Sequence, residues 1–303
     1  MKKEFEEWVD NHVGNQDSKT AIVTGANTGI GFYTALGLAK KGANVILAGR
    51  SEEKLQHAIS SILEDLPAAR VSMAIVDLAS LQSVRDFAGQ FLKDHRQLDL
   101  LVLNAGVMMP PAATTEEGFE LQFGVNYLAH FLLTQLLLPV MRSTPNARVV
   151  TVSSIAHRAG VIDFDNLRLE KPFDTRKLYY QSKLANIIFA LELARREVGQ
   201  EQPVMSVACH PGITASDLQR HLDPEIIRKM NFMETWQGSL PTLLAATKTD
   251  VQPGDYYGPD GEGEFMGWPA PGVIEERALD TELGKLLWEK SMVYSGLQGN
   301  VQY

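Results

Sequence analysis

The sequence predicts a single α/β domain built on a mostly parallel, doubly wound, seven-stranded sheet with helices on both faces, and three observations predict it. Short apolar runs alternate with helical stretches along the chain. The runs are near-continuous Val, Ile, Leu and Ala, as strands buried on both faces require. A glycine-rich turn joins the first run to the first helix. Such alternation implies right-handed crossovers, hence parallel pairing. A chain of 303 residues with 45% hydrophobic content can fill a core of that size.

In chain order, residues 4–13 read as a short amphipathic helix on Phe5, Trp8, Val9 and Val13, followed by a polar link over 14–18. Residues 1–17 are therefore expected to be an appendage packed on a main domain of 18–303. Runs at 21–23 and 45–48 flank a helix over 30–41 with Gly42 as its C-cap. Further runs at 71–76, 98–103, 149–152 and 204–208 read as strands. Helices are expected around 51–65, 80–94, 116–141 and 175–198. The Gly/Pro-rich stretch 254–272 reads as a turn-dense loop, and 213–270 as a substrate-side lid with C-terminal elements.

Composition excludes several roles. A net charge of −9 argues against a nucleic-acid groove or an anionic membrane as the main partner. The one cysteine, Cys209, cannot form an intramolecular disulfide and fits a reducing compartment, so a cytoplasmic location is expected. The first ten residues, MKKEFEEWVD, lack the apolar core of a secretory signal. Residues 123–141 are apolar enough to be a candidate membrane span. They include Asn126, His130, Gln135 and Pro139, which are costly in lipid, so a buried or interfacial helix is expected and no transmembrane segment. The seven histidines are scattered, with no metal-binding spacing, so no metal site is expected. His157 lies near Ser154 and could reach a substrate, but reads first as a solvated loop histidine, and Cys209 and His210 read as a buried strand end. Met108, Met109, Phe232, Met233 and Trp236 line an apolar pocket or belong to the core; sequence leaves both open.

The chemistry-bearing motifs sit at strand ends. Thr24-Gly25-Ala26-Asn27-Thr28-Gly29-Ile30-Gly31 lies between the first strand and first helix, where glycines let backbone approach phosphates and a helix N-terminus offers unpaired N–H groups. The second strand ends Ala48-Gly49-Arg50, without the acid that would hold both hydroxyls of an NAD ribose; Arg50 can pair with a 2′-phosphate, which favours NADP(H). Arg50 also reads as a solvated residue ahead of a helix capped by Ser51. Tyr179 and Lys183 stand four apart on a helix, so they share a face, and an adjacent ammonium favours the phenolate.

Gly25-x3-Gly29-x-Gly31, Asn104-Ala105-Gly106 after the fourth strand and Tyr179-x3-Lys183, in this order, resemble the short-chain dehydrogenase/reductase family, with its Rossmann fold. The resemblance is dense over 19–212. It implies that Tyr179 is the acid/base, that Lys183 binds ribose and tunes it, that Ser154 orients the substrate and that the Asn126 backbone holds a water in the proton path. For the cofactor it implies Asp77 and Leu78 at adenine, Asn104, Ala105 and Gly106 beside it, and Pro211, Gly212, Ile213 and Thr214 at the nicotinamide amide. Taken singly, Asn126 also reads as a helix cap, Ser154 as a strand end and Asp77 as a helix start. The long interval between Ser154 and Tyr179, together with Asn27-Thr28 and Ser182-Lys183-Leu184-Ala185-Asn186, resembles the branch of retinol dehydrogenases and protochlorophyllide reductases, whose members use NADP(H) on varied, often bulky apolar carbonyls, alcohols or conjugated double bonds, so the resemblance does not fix a substrate class.

The expected activity is NADP(H)-dependent carbonyl reduction or alcohol oxidation on a small molecule. Conjugated C=C reduction and a non-catalytic NADP(H)-binding regulator are the rivals. The apolar helices at 123–141 and 179–195 suit a homodimer, and a monomer covered by its C-terminal region is equally compatible.

Overall fold

A computed structural model describes residues 1–297. Eight strands form one sheet: β1 (Thr20–Thr24), β2 (Asn44–Gly49), β3 (Arg70–Ile75), β4 (Leu100–Leu103), β5 (Arg148–Val152), β6 (Met205–Cys209), β7 (Tyr256–Pro259) and β8 (Pro269–Pro271). Their order is β3-β2-β1-β4-β5-β6-β7-β8; every pairing is parallel except β7 with β8. Alternation sorts successive residues onto opposite faces. Ile22 joins the core containing Phe123, Phe131, Phe189 and Trp288, whereas Ala21 and Val23 join the one containing Leu36, Leu55 and Leu240.

The expected count of seven strands is corrected to eight, and the loop expected at 254–272 holds β7 and β8. Glycine and proline disguise both: β7 reads Tyr-Tyr-Gly-Pro and β8 Pro-Ala-Pro. Tyr256 and Tyr257 become strand residues by pairing with Ala208 and Cys209 of β6. Pro-Ala-Pro is tolerated in β8 because this strand lies at the sheet edge, where a missing N–H leaves no partner unpaired.

The helix expected at 116–141 begins later, at Leu121. Glu120 stops it from starting sooner: its carboxylate accepts from the N–H groups of Gln122 and Phe123. The helix Leu121–Arg142 is long and apolar enough to cross a membrane, but 83% of its most apolar window is buried inside the protein. It carries a π-turn over Gly124–Leu128, a local widening that turns Asn126 toward the end of β4.

The N-terminal helix Lys3–His12 places Phe5 edge-on against Tyr33 at 5.2 Å and Trp236 at 6.4 Å. Phe5 and Val9 are fully buried there. Within 213–270, the helix Thr235–Thr247 packs its Leu240 and Leu243 into the same core, so that part of the stretch belongs to the body of the fold.

Candidate functional site

Strand order reverses between β1 and β4, and a doubly wound sheet opens a ligand crevice at such a point, beyond the strands' carboxyl ends. A cavity of about 290 Å³ lies there, bounded by Gly25, Asn27, Thr28, Gly29, Ile30 and Gly31. Gly25 adopts φ +66°, and a side chain on it would meet Ala105 Cα at 2.9 Å. A Cβ on Gly31 would lie 2.5 Å from the Gly25 carbonyl oxygen. Thr28 makes no side-chain cap to the helix Gly29–Lys40, so the first amides of that helix are left for an anion.

The same cavity is bounded by Arg50, Asp77, Leu78, Asn104, Ala105 and Gly106. Arg50 is exposed, and Ser51 caps the next helix by accepting from Lys54 N–H at 3.4 Å, so the two readings of that segment coexist. Asp77 accepts from the Ala79 N–H at 2.9 Å; Ser80, not Asp77, caps the following helix. Lys54 and Arg220 also line the cavity, two cations that sequence reading did not single out. Lys54 stands one helical turn beyond Arg50, a spacing that was available as a signal. Arg220 had none, since it arrives from a segment 170 residues away in sequence.

A buried hydroxyl organises this floor. Thr24 Oγ1 accepts from the N–H groups of Asn104 and Ala105 at 2.9 and 3.0 Å and lies 2.9 Å from His130 Nε2. His130 Nδ1 lies 3.1 Å from the Asn126 carbonyl oxygen, which can only accept, so Nδ1 carries the proton and Nε2 accepts from Thr24. Burial pushes His130 down to about 4, outweighing that carbonyl contact, with the Lys183 charge adding to the fall. The ring is thus a neutral strut between the glycine strand and the Asn126 backbone. Sequence reading used His130 only as an argument against a membrane span; its spacing of four from Asn126 was the available clue.

The fourth-strand and tyrosine motifs meet here. Asn126 is fully buried; its Oδ1 accepts from Val107 N–H at 2.7 Å and its Nδ2 donates to Val107 O and Ser182 Oγ. A Cβ on Gly106 would stand 3.2 Å from Asn126 Oδ1 and 3.7 Å from Lys183 Nζ, so the ammonium adjoins the Asn104–Gly106 turn. Lys183 Nζ also donates to Val152 O at 3.3 Å, as does Asn186 Nδ2 at 3.2 Å, anchoring the helix Thr175–Glu197 to the end of β5.

The two serines after β5 divide as strand alternation requires. Ser153 is buried and donates to the Lys183 carbonyl at 2.7 Å; Ser154 is half-buried, accepts from the Ala156 N–H at 3.2 Å, and its hydroxyl acts on Tyr179. One expectation is corrected. Tyr179 lies only 4% exposed, and burial raises it to about 12 against the opposing Ser154 bond. The neighbouring charge was expected to lower it; Lys183 Nζ stays 5.8 Å from the ring centroid and bonds to Val152 instead. Burial pushes Lys183 down to about 8.

Pro211, Gly212, Ile213 and Thr214 follow β6, beyond the residues bounding that cavity. Thr214 Oγ1 donates to Pro211 O at 2.8 Å, and Ile213 N–H donates to Phe265 O at 2.7 Å. The solvated role expected for His157 is corrected: it is fully buried, held by Ser154 and the chain at Glu275. Cys209 is buried and pushed up to about 12 by that burial. Met233 and Trp236 are buried in the fold. Among the described residues, no three His, Cys, Asp or Glu side chains converge as a metal site.

Comparison with known proteins gives this arrangement a family. Residues 19–226 match the short chain dehydrogenase family. Retinol dehydrogenase 13 of Homo sapiens is 41% identical over 287 residues, covering 92% of this chain and 85% of that protein. A short-chain dehydrogenase/reductase of Armillaria gallica is 40% identical, covering 93% and 92%. A crystal structure of an uncharacterized protein from Mycobacterium paratuberculosis superposes with a TM-score of 0.80 at 35% identity, covering 94% and 96%. The chain belongs to the short-chain dehydrogenase/reductase family of oxidoreductases, in its retinol-dehydrogenase-like branch.

Proposed function

We propose that this member of the family transfers hydride between NADP(H) and the carbonyl or alcohol carbon of an apolar small molecule. The observation that carries the reading is the meeting of Ser154 and buried Tyr179 with Lys183, whose ammonium lies 5.8 Å from the tyrosine ring centroid and beside the turn at Gly106. The glycine turn, the free helix N-terminus and the cations Arg50, Lys54 and Arg220 on one cavity suit a dinucleotide phosphate. When bound, the nicotinamide supplies or accepts the hydride.

The chain's own residues handle the oxygen and the proton. In the reducing direction, Ser154 and Tyr179 donate hydrogen bonds to the carbonyl oxygen as negative charge develops on it. Because Tyr179 is held near 12, it is a phenol at neutral pH and arrives loaded as the acid. The phenolate left after proton transfer is stabilised by Lys183, whose own proton is loosened by burial. In the oxidising direction the same groups act in reverse.

Relatives named retinol dehydrogenase make a retinoid a suitable first substrate. The test is a panel of retinoid, aliphatic and aromatic carbonyls and alcohols with NADP(H) and NAD(H), products identified by mass spectrometry. Carbonyl–alcohol interconversion is expected; a saturated product that keeps its carbonyl would replace it with C=C reduction. Tyr179→Phe should lower turnover roughly 10²–10⁴-fold, the usual worth of a general acid, while NADPH still binds. Undiminished turnover in that variant would remove Tyr179 from the chemistry.

A further inference from the structure

The turn after β6 is held by a set of buried polar groups from distant parts of the chain. His210 is fully buried, and its Nδ1 accepts from the Gly212 N–H at 3.2 Å. In the neutral ring the proton then sits on Nε2, which donates to Glu264 Oε2 at 2.8 Å. The other carboxylate oxygen of Glu264 accepts from Val273 N–H at 2.9 Å and pairs with Arg158 Nη2 at 2.7 Å. Arg158 belongs to the short helix Ile155–Ala159 that directly follows Ser154. In that helix His157 donates from Nδ1 to the Ser154 carbonyl at 2.7 Å and accepts from Glu275 N–H at 3.2 Å.

One carboxylate therefore joins the backbone beside Ser154 to the backbone at Gly212. Partial burial pushes the Glu264 carboxyl up, but bonds from His210 and Val273 and the Arg158 charge outweigh it and hold it at about 2. Glu264 also adopts φ +59°, a left-handed conformation costly for a residue with a side chain. Gly212 has φ +66°, and a Cβ there would lie 2.4 Å from Phe265 O. The loop carrying Glu264 is thus pressed against the β6 turn, with strain accepted on one side and a glycine required on the other.

We propose that Glu264 is a positioning residue for the nicotinamide end of the site, acting through His210 on the Gly212 amide and through Arg158 on the turn that carries Ser154. The proposal rests on the NADP(H) reading above. It makes a division that general loosening of the fold would not: the adenylate end, at the glycine turn and Arg50, lies on the other side of β1 and shares none of these bonds.

The experiment measures dissociation constants of NADPH and of 2′,5′-ADP, which lacks the nicotinamide, for the wild-type protein, Glu264→Ala and Glu264→Gln. Glu264→Ala should weaken NADPH at least tenfold and leave 2′,5′-ADP within twofold. Glu264→Gln, which keeps the shape and one acceptor, should fall between the two. His210→Leu, which removes both the acceptor for Gly212 N–H and the donor to Glu264, should reproduce the pattern and stands in if Glu264→Ala does not fold. Parallel weakening of both ligands, or no change in either, would overturn the proposal. A wild-type protein that binds neither ligand would instead overturn the NADP(H) reading on which it stands.

Discussion

The glycine-turn end of the site and the β6 end are assembled by opposite means. At the glycine turn, the residues facing the cavity lie mostly within a few positions of the ends of β1, β2, β3 and β4. Parallel pairing brings those ends together, so each short motif carries its own place. At the β6 end, His210 meets Glu264 across 54 residues, and His157 meets the chain at Glu275 across 118. The difference teaches that a backbone cradle at strand ends can be written locally, whereas the turn after β6 is shaped by side chains delivered by late loops.

Each end nevertheless holds a neutral, buried imidazole, His130 at one and His157 at the other, both pushed down to about 4 mainly by burial. This supplies the largest effect by which the comparison can be sharpened. A depressed histidine contributes stability fully present above its unfolded value near 6.5 and lost as pH falls from there through about 4, because the unfolded chain binds the proton first. Each ring should contribute on the order of 2–3 kcal/mol to the difference between pH 7 and pH 4. Urea denaturation from pH 7 to 4 should show the loss, and His130→Gln or His157→Gln should each flatten it. If only one variant does so, the two ends are not equivalent in this respect.

A smaller effect separates the ends by ligand. On the proposed pairing of Arg50 with a 2′-phosphate, Arg50→Ala would remove a charge-assisted contact worth roughly 1.5–3 kcal/mol, so NADPH affinity should fall about 10–100-fold while NADH affinity changes little. Fluorescence titration reads both. Equal losses for the two cofactors would take the 2′-phosphate role away from Arg50.

The smallest effect probes the long-range ties. Arg277 Nη1 donates to the Gly160 carbonyl at 2.7 Å, joining the C-terminal segment to the turn after Ser154. Arg277→Met should cost about 0.5–1.5 kcal/mol, the ordinary worth of one hydrogen bond, measured as a lowered thermal midpoint. The affinity for 2′,5′-ADP should hold. A large loss of that affinity would mean that the β6 end is coupled to the glycine turn after all.

Legibility follows the same division. The strand at 149–152 and the pair Tyr179–Lys183 were readable because apolar runs and helix spacing are local. β7 and β8 were not, since Tyr-Tyr-Gly-Pro and Pro-Ala-Pro acquire strand geometry from their neighbours. Strand alternation puts Ser153 and Ser154 on opposite sides, but only the fold shows that Ser153 is spent on the Lys183 carbonyl. His157 was misread as solvated because nothing near it in sequence announces the loop that covers it.

The sequence by itself determined the doubly wound α/β class, the glycine turn at the end of β1 and the sharing of one helix face by Tyr179 and Lys183. These depend on side-chain period and backbone freedom, which act over a few residues. Only the tertiary structure decided that Tyr179 is a buried phenol rather than a phenol lowered by its lysine, that His130 is a neutral strut and that Glu264 stands behind Gly212. Desolvation and long-range hydrogen bonding set those outcomes, and both depend on which distant segments exclude water from a group.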